Sequence, residues 1–420
     1  MARILILIGG HLSTAPRPLK EADLLSRLGH EVTVAGRWYD PSLADQDQEL
    51  NQGRTWTFRV VLDQRPQRRW LYHLTRVRVA IAQQLFRRLG IPSPTLLNPA
   101  ASAQLRLAQQ LKPDLTIAHH EAGLWVIRQL HQQGLATGVD LEDWFSEDLP
   151  VEARRNRPIR WLKSLEQAAL QTATYRLCTS AAMAQSLAEA YSVDPPTVIV
   201  NSFPLETEQP PTPTGPLRLT WFSQTIGPGR GLENLLLSLN TLAQKDWHLT
   251  LIGELPSRYQ AWWELQLTEM LRQRVSLCGW LPPTLLKQTL SQQDLGLCLE
   301  TSDPRSRDLT ITNKLFQYWS CSLPVLATPT RGQREALAQA PSAGWLVTDG
   351  RPQSLITTLA ELMQQPHLVR QRRSAARAAA LASMAQLERN LQQALGAADI
   401  QSVALPGRPI GPEVIPGTNR

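Results

Sequence analysis

The sequence predicts an α/β fold made of two similar domains, each with a mainly parallel sheet covered by helices. Apolar strands alternate with amphipathic helices along both halves of the chain, and a proline-rich segment separates the halves. The 420 residues fit two or three domains, and a hydrophobic fraction of 42% is enough to form real cores. We therefore expect two folded α/β domains rather than a disordered chain.

The first half begins with Ala2–Ile8, a continuous apolar run typical of a strand covered on both faces, and Gly9-Gly10 ends it. An amphipathic helix that closes at Gly29 follows, and Glu31–Ala35 is the second strand. This β–α–β order predicts a doubly wound, Rossmann-like sheet. The further strands predicted in this half are Asp114–Ala118, Ala136–Leu141, Arg176–Thr179 and Thr197–Val200.

Phe203–Pro216 contains five prolines and reads as a linker, because proline fixes φ and withholds a hydrogen-bond donor. The alternation then restarts. The predicted strands are Leu217–Phe222, Trp247–Ile252, Val275–Cys278, Leu295–Leu299, Pro324–Ala327 and Gly344–Val347. The predicted helices include Leu232–Ala243, Tyr259–Arg272 and Asn313–Trp319.

We therefore predict an N-terminal domain over residues 1–203, a hinge over 204–216 and a C-terminal domain over 217–395. The last helices could pack back on the N-terminal domain, and residues 396–420, rich in Gly and Pro, form a disordered tail. Two Rossmann-like domains that face each other would place the carboxyl ends of both sheets around one cleft, where ligands bind in this fold.

The cysteines and the apolar runs indicate the cellular compartment of the protein. Four cysteines, none in a CxxC pair, are expected to be buried free thiols that fit a reducing cytosol: Cys178, Cys278, Cys298 and Cys321. The opening apolar run is too short for a secretory signal, and no run approaches the roughly 18 residues that span a bilayer. The sequence thus favours a cytoplasmic protein, at most peripheral on a membrane.

The segment Ser223–Glu233, SQTIGPGRGLE, follows a predicted strand and opens a helix. Gly227 and Gly229 would let the backbone approach an anion, the helix N-terminus supplies free N–H groups, and Arg230 could grip phosphate oxygens. The alternative is a flexible loop with an incidental arginine. The segment is neither a Walker loop nor a GxGxxG fingerprint.

A second segment opens the helix that precedes Pro324. Thr312 or Asn313 would cap this helix, and Lys314 lies in its first turn, where a cation opposes the helix dipole unless an anion lies beside it. Gln317, one turn after Asn313, could hydrogen-bond a ribose hydroxyl. The alternative for Lys314 is an ordinary surface lysine.

Together these motifs resemble a known family. Arg230-Gly231, the run NKLFQY at 313–318 and the run LPVLAT at 323–328 resemble the donor-binding half of family-four (group 1-like) glycosyltransferases, which have the GT-B fold. The runs TAPRPLKEAD at 14–23, AHH at 118–120 and DLED at 140–143, with Asn201 after a strand, are similar to family elements of the N-terminal half. The likeness covers roughly residues 1–395 in the expected order.

This resemblance implies roles for particular residues. In the donor half, Arg230 and Lys314 would bind the diphosphate of a nucleotide-sugar, and Gly227 and Gly229 would let the backbone approach it. The ribose and base would be contacted by Asn313, Gln317, Trp280 and Leu281. Near the transferred sugar, His119 and Glu300 are the catalytic candidates. Acceptor-side candidates are Arg17, Glu142 and Asp143.

The resemblance further implies a retaining, metal-independent transfer of a sugar, hexosyltransferase-like, with the nucleotide-sugar as co-substrate and no other cofactor. The acceptor would be a glycan, a lipid-linked or a small molecule, and polysaccharide biosynthesis is the expected process.

The sequence departs from the family where a glutamate is common, because Leu309 and Gln317 occupy those positions. Glu300 or Asp308 could substitute. The departure keeps two other classes open: a sugar-nucleotide epimerase or hydrolase of the same fold, and a catalytically degenerate binding subunit.

Other polar groups have plainer readings. His119 and His120 could form a locally hydrogen-bonded pair at a strand end, and Asp140 could act only as a cap. The single DxD, Asp45-Gln46-Asp47, reads as a solvated loop. No His, Cys or carboxylate cluster has metal-ligand spacing, so we predict no metal site.

One segment accounts for the net charge of +7, because residues 51–100 contain nine basic residues and one acidic residue. Seven arginines lie within residues 64–88, with apolar residues between them. The segment reads either as a solvated amphipathic helix or as a surface for anionic lipid head groups near a lipid-linked acceptor. Nucleic acid is disfavoured, because no nucleic-acid motif accompanies the charge.

Overall fold

The computed structural model describes residues 1–205, 214–242 and 245–400, and within them the chain forms two compact units. The first contains Met1–Thr179, Met183–Ile199 and the described residues from Glu388 onward; the second contains Ser180–Ala182 and Val200–Leu387. Residues 206–213 of the predicted hinge and 401–420 of the predicted tail lie outside the described residues. The predicted domain limits stay predictions.

The first unit contains a seven-stranded sheet in the order β3-β2-β1-β4-β5-β6-β7, and all its neighbouring strands are parallel. Its strands are β1 (Arg3–Leu7), β2 (Glu31–Trp38), β3 (Thr57–Asp63), β4 (Leu115–Ala118), β5 (Thr137–Leu141), β6 (Tyr175–Cys178) and β7 (Thr197–Val198). Its helices are α1 (Pro16–Arg27), α2 (Pro41–Asn51), α3 (Arg69–Leu89), α4 (Pro94–Leu97), α5 (Ala101–Leu111), α6 (Glu121–His131), α7 (Ile159–Thr172) and α8 (Ala181–Tyr191).

The second unit contains a six-stranded parallel sheet in the order β10-β9-β8-β11-β12-β13. Its strands are β8 (Leu217–Thr225), β9 (Trp247–Glu254), β10 (Val275–Leu277), β11 (Leu295–Cys298), β12 (Val325–Ala327) and β13 (Gly344–Leu346). The helices are α9 (Leu232–Thr241), α10 (Gln260–Gln266), α11 (Glu269–Arg274), α12 (Pro283–Ser291), α13 (Arg305–Leu309), α14 (Asn313–Ser320), α15 (Arg331–Gln339), α16 (Pro352–Gln364) and α17 (Pro366–Gln371). The last helix, α18 (Arg373–Ala397), begins in this unit, and its residues from Glu388 onward belong to the first.

The predicted fold class is confirmed in each unit, because both sheets are parallel and flanked by helices. The central strands were predictable because they are buried on both faces; in β1, Ile4–Leu7 is fully buried. Two details differ. Strand β3 was not predicted, since it is an edge strand whose residues are mostly half-exposed. The predicted helix Tyr259–Arg272 is two helices, because the Thr268 side chain caps α11 by accepting from the Leu271 N–H.

Free thiols are found at all four cysteines. Three are buried as expected: Cys178, Cys298 and Cys321. Cys278 is only half-buried, which corrects the expectation, because it directly follows the edge strand β10. Among residues 1–205, 214–242 and 245–400, no helix combines the length and the apolar character that crossing a bilayer requires.

The strand orders place a topological switch point between β1 and β4 in the first sheet and between β8 and β11 in the second. Ligands in such sheets bind outside the carboxyl ends of the strands at this point. His119 follows β4, and its backbone N–H donates to the Leu7 carbonyl at the end of β1, 3.0 Å away. In the second sheet Glu300 follows β11 and the Arg230 loop follows β8. These three predicted features thus lie at the switch points of the two sheets.

A substitution at Gly296 in β11 tests how tightly the second sheet packs against its helices. A Cβ there would lie 2.4 Å from the Tyr318 ring. We expect Gly296→Ala to lower the free energy of unfolding by about 1–3 kcal/mol, because the buried ring has to shift. Gly350→Ala is the matched control, since its Cβ would meet nothing within 4 Å. Urea denaturation measures both variants; equal stability of the two would contradict this packing.

Candidate functional site

Four charged side chains form a buried cluster at the switch point of the first sheet. Helix α1 supplies Arg17 and Glu21 from the same face, one turn apart. His119 comes from the end of β4, and Asp140 from β5. All four are at most 7% exposed. Charges this deeply buried are tolerated only when they are paired.

Arg17 and Asp140 form a bidentate ion pair. Arg17 Nε lies 2.6 Å from Asp140 Oδ2 and Nη2 lies 2.9 Å from Oδ1, while Nη1 donates to the carbonyl oxygen of Ile199 at 2.6 Å. Burial opposes the charge of Arg17, but Asp140, Glu142 and Glu21 raise its pKa above the usual value. Asp140 is therefore not a cap, which corrects that reading, and the acceptor role of Arg17 stays a prediction.

His119 is held between carboxylates. Its Nε2 lies 2.5 Å from Glu21 Oε2, and its Nδ1 lies 3.5 Å from Glu142 Oε1 and 3.6 Å from Asp140 Oδ2. Burial lowers the pKa of the imidazole, but these carboxylates, Glu21 foremost, raise it to about 10. His119 is thus an imidazolium at neutral pH, able to donate hydrogen bonds but not to act as a general base.

His120 behaves in the opposite way. Burial, the His119 charge and the Arg37 charge lower its pKa to about 3, so it is neutral. Its Nε2 lies 3.1 Å from Gln104 Oε1. The reading of a locally hydrogen-bonded strand-end residue therefore fits His120.

Glu21, His119 and Asp140 each bring a ligand-type atom within 4.8 Å of the others, a grouping that the sequence spacing did not suggest. Both oxygens of Asp140 accept from Arg17, and Glu21 accepts from His119 and, at 2.5 Å, from the Tyr175 hydroxyl. The guanidinium already supplies the positive charge that a metal would. This donor set fits a salt-bridge network rather than a cation site, and the absence of a metal stays a prediction.

The two acceptor-side carboxylates lie beyond this cluster. The Glu142 side chain is 27% exposed and is therefore more open to solvent than the buried side chains of the cluster. Asp143 is half-buried. Both acceptor-side roles stay predictions.

The DxD reading needs a correction. Asp45 is exposed, but Asp47 lies in α2 and is fully buried. Its carboxylate lies 2.9 Å from His11 Nδ1 and accepts from Trp38 Nε1 at 2.9 Å. Burial raises the pKa of Asp47, but hydrogen bonds from His11 and Ser13 hold it below its usual value. Asp47 is a structural carboxylate, hidden from the sequence because its partners come from other elements.

The loop between β8 and α9 contains the predicted phosphate-binding residues. Gly229 has a left-handed φ of +73° and open space around its Cβ position. Gly227 is required by packing, since its Cβ would lie 2.7 Å from the Tyr259 ring. Arg230, half-buried, donates from Nη1 to Ser223 Oγ at 3.2 Å. The loop is therefore held in a defined shape with an arginine at its end.

Lys314 is 9% exposed, so it is not an ordinary surface lysine. Its Nζ donates to Glu300 Oε1 at 2.5 Å and lies 5.4 Å from the centre of the Trp221 ring. Burial raises the pKa of Glu300, but the charges of Lys314, Arg307 and Arg230 hold it below its usual value. An ionised carboxylate thus lies among three cations at the switch point of the second sheet.

Arg307 is a residue that the sequence reading did not single out. Its Nη1 donates to the Gly229 carbonyl and to Thr301 Oγ1, both at 3.1 Å, and its Nε lies 3.9 Å from Glu300 Oε2. It therefore connects α13 to the glycine loop. The sequence shows only an arginine shortly before the helix that Asn313 opens, without the fold that brings it to the loop.

The other predicted donor residues lie at the start of α14 and after β10. Thr312 occupies the cap position of α14, but its side chain does not cap; its Oγ1 lies 3.4 Å from Glu300 Oε1. Asn313 accepts from Asn201 Nδ2 at 2.5 Å, and Gln317 is buried. Trp280, 47% exposed, and the half-buried Leu281 follow β10. Their ribose and base roles stay predictions.

Of the two carboxylates considered as substitutes for the family glutamate, Asp308 is already paired, since its Oδ2 lies 2.7 Å from Arg331 Nε. Leu309, at the family position, is fully buried. Glu300 is therefore the carboxylate placed among the cations.

Two family models match the chain. The model described as "Glycosyltransferase Family 4" matches residues 20–207, and the model described as "Glycosyl transferases group 1" matches residues 218–365. The chain belongs to the group 1, family-four-like glycosyltransferases. The resemblance drawn from the sequence motifs is thus confirmed, and the protein is an enzyme that transfers a sugar. No curated protein sequence matches the chain.

Solved structures of glycosyltransferases share the fold. Anabaena HepE, crystallised with UDP and glucose, is 17% identical, with 94% of this chain and all of that chain covered and a TM-score of 0.66. Sucrose-phosphate synthase from Thermosynechococcus elongatus is 16% identical, with 94% and 100% covered and a TM-score of 0.63. A Rickettsia africae glycosyltransferase is 13% identical, with 94% and 98% covered and a TM-score of 0.64. At these identities the likeness shows the GT-B fold.

The His119 imidazolium makes stability depend on pH. The raised pKa means that the stabilisation is complete below pH 6.5, the usual pKa, and is lost as the pH rises through about 10. We expect the free energy of unfolding of the glycosyltransferase to fall between pH 7 and 10 by on the order of 2–5 kcal/mol more than that of His119→Gln. Urea denaturation at several pH values measures the difference. Parallel curves for the two proteins would contradict the imidazolium assignment.

Proposed function

We propose that the second unit binds a nucleotide-sugar donor at the switch point between β8 and β11. The observation that carries the proposal is the convergence of three cations there: Lys314 and Arg307 lie 2.5 and 3.9 Å from the Glu300 carboxylate, and Arg307 donates to the carbonyl of Gly229, the residue before Arg230. Guanidinium groups form bidentate hydrogen bonds with phosphate oxygens, and a buried ammonium attracts those oxygens as a strong point charge. The site therefore suits a diphosphate, the group that leaves when a sugar is transferred.

The chemistry follows from this charge. Negative charge accumulates on the diphosphate as the bond to the sugar breaks, and fixed cations in a partly buried site stabilise that charge. They supply the charge neutralisation that a divalent metal gives elsewhere, which supports metal-independent transfer. Asn313 and Gln317 would bind the ribose, and Trp280 and Leu281 the base. The UDP in the HepE crystal structures supports a uridine nucleotide.

In the first unit, we propose that His119 and Glu142 contact the reacting sugars. The imidazolium would donate a hydrogen bond to a sugar hydroxyl, and the partly exposed carboxylate of Glu142 would accept one from the acceptor. Arg17 would position His119 through Asp140, and Asp143 extends the acceptor side. Retention of configuration belongs to this proposal by family resemblance.

An exposed surface on α3 supports the proposal that the acceptor is held at an anionic membrane. The outward apolar residues recur at helical spacing, and about 100° of rotation per residue places them within an arc of about 80°. They are Trp70, Leu74, Val77, Ile81 and Leu85. Few side chains of α3 are buried: only Thr75 and Ala82 among the described residues. Most of the helix therefore faces away from the core.

The charge of this α3 surface matches anionic lipid. Residues 64–89 contain no acidic residue, and Arg76, Arg78, Arg87 and Arg88 are exposed on the same helix. An exposed apolar stripe flanked by arginines is typical of helices that lie in the membrane interface. A lipid-linked acceptor, as in polysaccharide biosynthesis, would be reached there from the cytoplasmic side.

Removing the proposed donor cations tests the donor site. We expect Arg230→Ala and Lys314→Ala each to weaken UDP binding about 10- to 100-fold, because each removes a charge-assisted contact to the diphosphate. Arg272→Ala is the control, since Arg272 is exposed and pairs with Glu264. Isothermal titration calorimetry measures the affinities. Unchanged binding by both variants would refute the donor site, and binding of UDP-sugars without any transfer would favour the degenerate-subunit alternative.

Flotation with liposomes tests the α3 surface. We expect the wild type to float with vesicles containing phosphatidylglycerol and not with pure phosphatidylcholine. The double variant Val77→Asp/Ile81→Asp should lose about fivefold or more of this binding, because charge is placed in a stripe that has to enter the interface. Leu265→Asp, at an 85% exposed site on α10, is the control. Equal flotation of the wild type and the double variant would reject the membrane proposal.

A further inference from the structure

Glu300 is the shared partner of the cations at the proposed donor site. Among the described residues, the ion pairs of Lys314 and Arg307 both go to its carboxylate, at 2.5 and 3.9 Å. Arg230, the third cation, donates to the neutral hydroxyl of Ser223. The Glu300 side chain is only 12% exposed. One buried carboxylate therefore neutralises the charge that a bound diphosphate would neutralise.

This arrangement has a physical reason. Lys314 is buried, and a buried ammonium without a counter-charge is costly. The Trp221 ring, whose centre is 5.4 Å from Lys314 Nζ, offers a ring face but no negative charge. The Glu300 carboxylate supplies that charge: Thr312 Oγ1 donates to its Oε1 at 3.4 Å, and the Thr328 hydroxyl holds the Glu300 backbone carbonyl at 2.5 Å.

We propose that Glu300 is an internal counter-anion that occupies Lys314 in the absence of a nucleotide and competes with the donor diphosphate for it. The inference rests on the proposed donor site, and it explains how binding and release of the nucleotide there are regulated. Binding of the nucleotide-sugar exchanges the Glu300–Lys314 pair for a diphosphate–Lys314 pair. After transfer, Glu300 forms its ion pair with Lys314 again and so promotes release of the nucleoside diphosphate.

This role differs from direct action on the sugar, the role predicted for Glu300 from the sequence. A carboxylate that contacts only the reacting sugar leaves the affinity for a free nucleoside diphosphate unchanged when its charge is removed. A competing counter-anion lowers that affinity, so removal of its charge raises it. With a ligand that lacks the sugar, the two roles therefore give different results: unchanged affinity for the first and higher affinity for the second.

The experiment compares wild type, Glu300→Gln and Glu300→Asp by titration calorimetry with UDP and with inorganic pyrophosphate. Glu300→Gln keeps the shape and removes the charge, and we expect about 5- to 20-fold tighter binding of both ligands. Glu300→Asp keeps the charge but withdraws it from Lys314, and should fall in between. Glu361→Gln, at an exposed position on α16, is the control and should bind as the wild type does.

Thermal unfolding is the second readout. Without ligand, Glu300→Gln should unfold at a lower temperature than the wild type, because Lys314 loses its partner, and UDP should raise its Tm more than that of the wild type. UDP binding that is equal or weaker in Glu300→Gln overturns the counter-anion role. Failure of the wild type itself to bind UDP or pyrophosphate refutes the donor site instead, so the two failures are distinguishable.

Discussion

Charge compensation at the carboxyl ends of two parallel sheets is the constraint on which both candidate sites depend. Sheets covered on both faces by helices leave the strand ends as the place for polar groups, and charges buried there persist only in pairs. In the first unit Asp140 is matched by Arg17, and Glu21 by His119. In the second, Glu300 is matched by Lys314. These pairs fix both the positions and the protonation states of the side chains available for chemistry.

The two units use this constraint for different purposes. In the first, carboxylates outnumber the cations around one histidine and keep it charged, so the site contains a charged hydrogen-bond donor, for which we propose contact with a sugar hydroxyl. In the second, cations outnumber the carboxylate, and we propose that this excess of positive charge binds a diphosphate. Both clusters lie where the strand order reverses, which is why a family built on this fold can combine recognition of a nucleotide with chemistry on a sugar.

The sequence was sufficient for the fold class and for the residues that sit in motifs. Continuous apolar runs such as Ile4–Leu7 identify covered strands, whereas the half-exposed edge strand β3 has no such pattern. Lys314 was predictable because a lysine in the first turn of a helix is unusual. The Glu21–His119 pair was not, since its members are 98 residues apart. Asp47 was misread for the same reason, because only the fold brings His11 to it.

The central claim is that a nucleoside diphosphate binds among Arg230, Arg307 and Lys314 in the second unit. The most direct measurement is a crystal structure of the protein soaked with UDP. We expect diphosphate oxygens within hydrogen-bond distance of the Arg230 guanidinium and of Lys314 Nζ, with the Glu300 carboxylate displaced from Lys314. A diphosphate bound away from these side chains, with the Glu300–Lys314 pair intact, would contradict it.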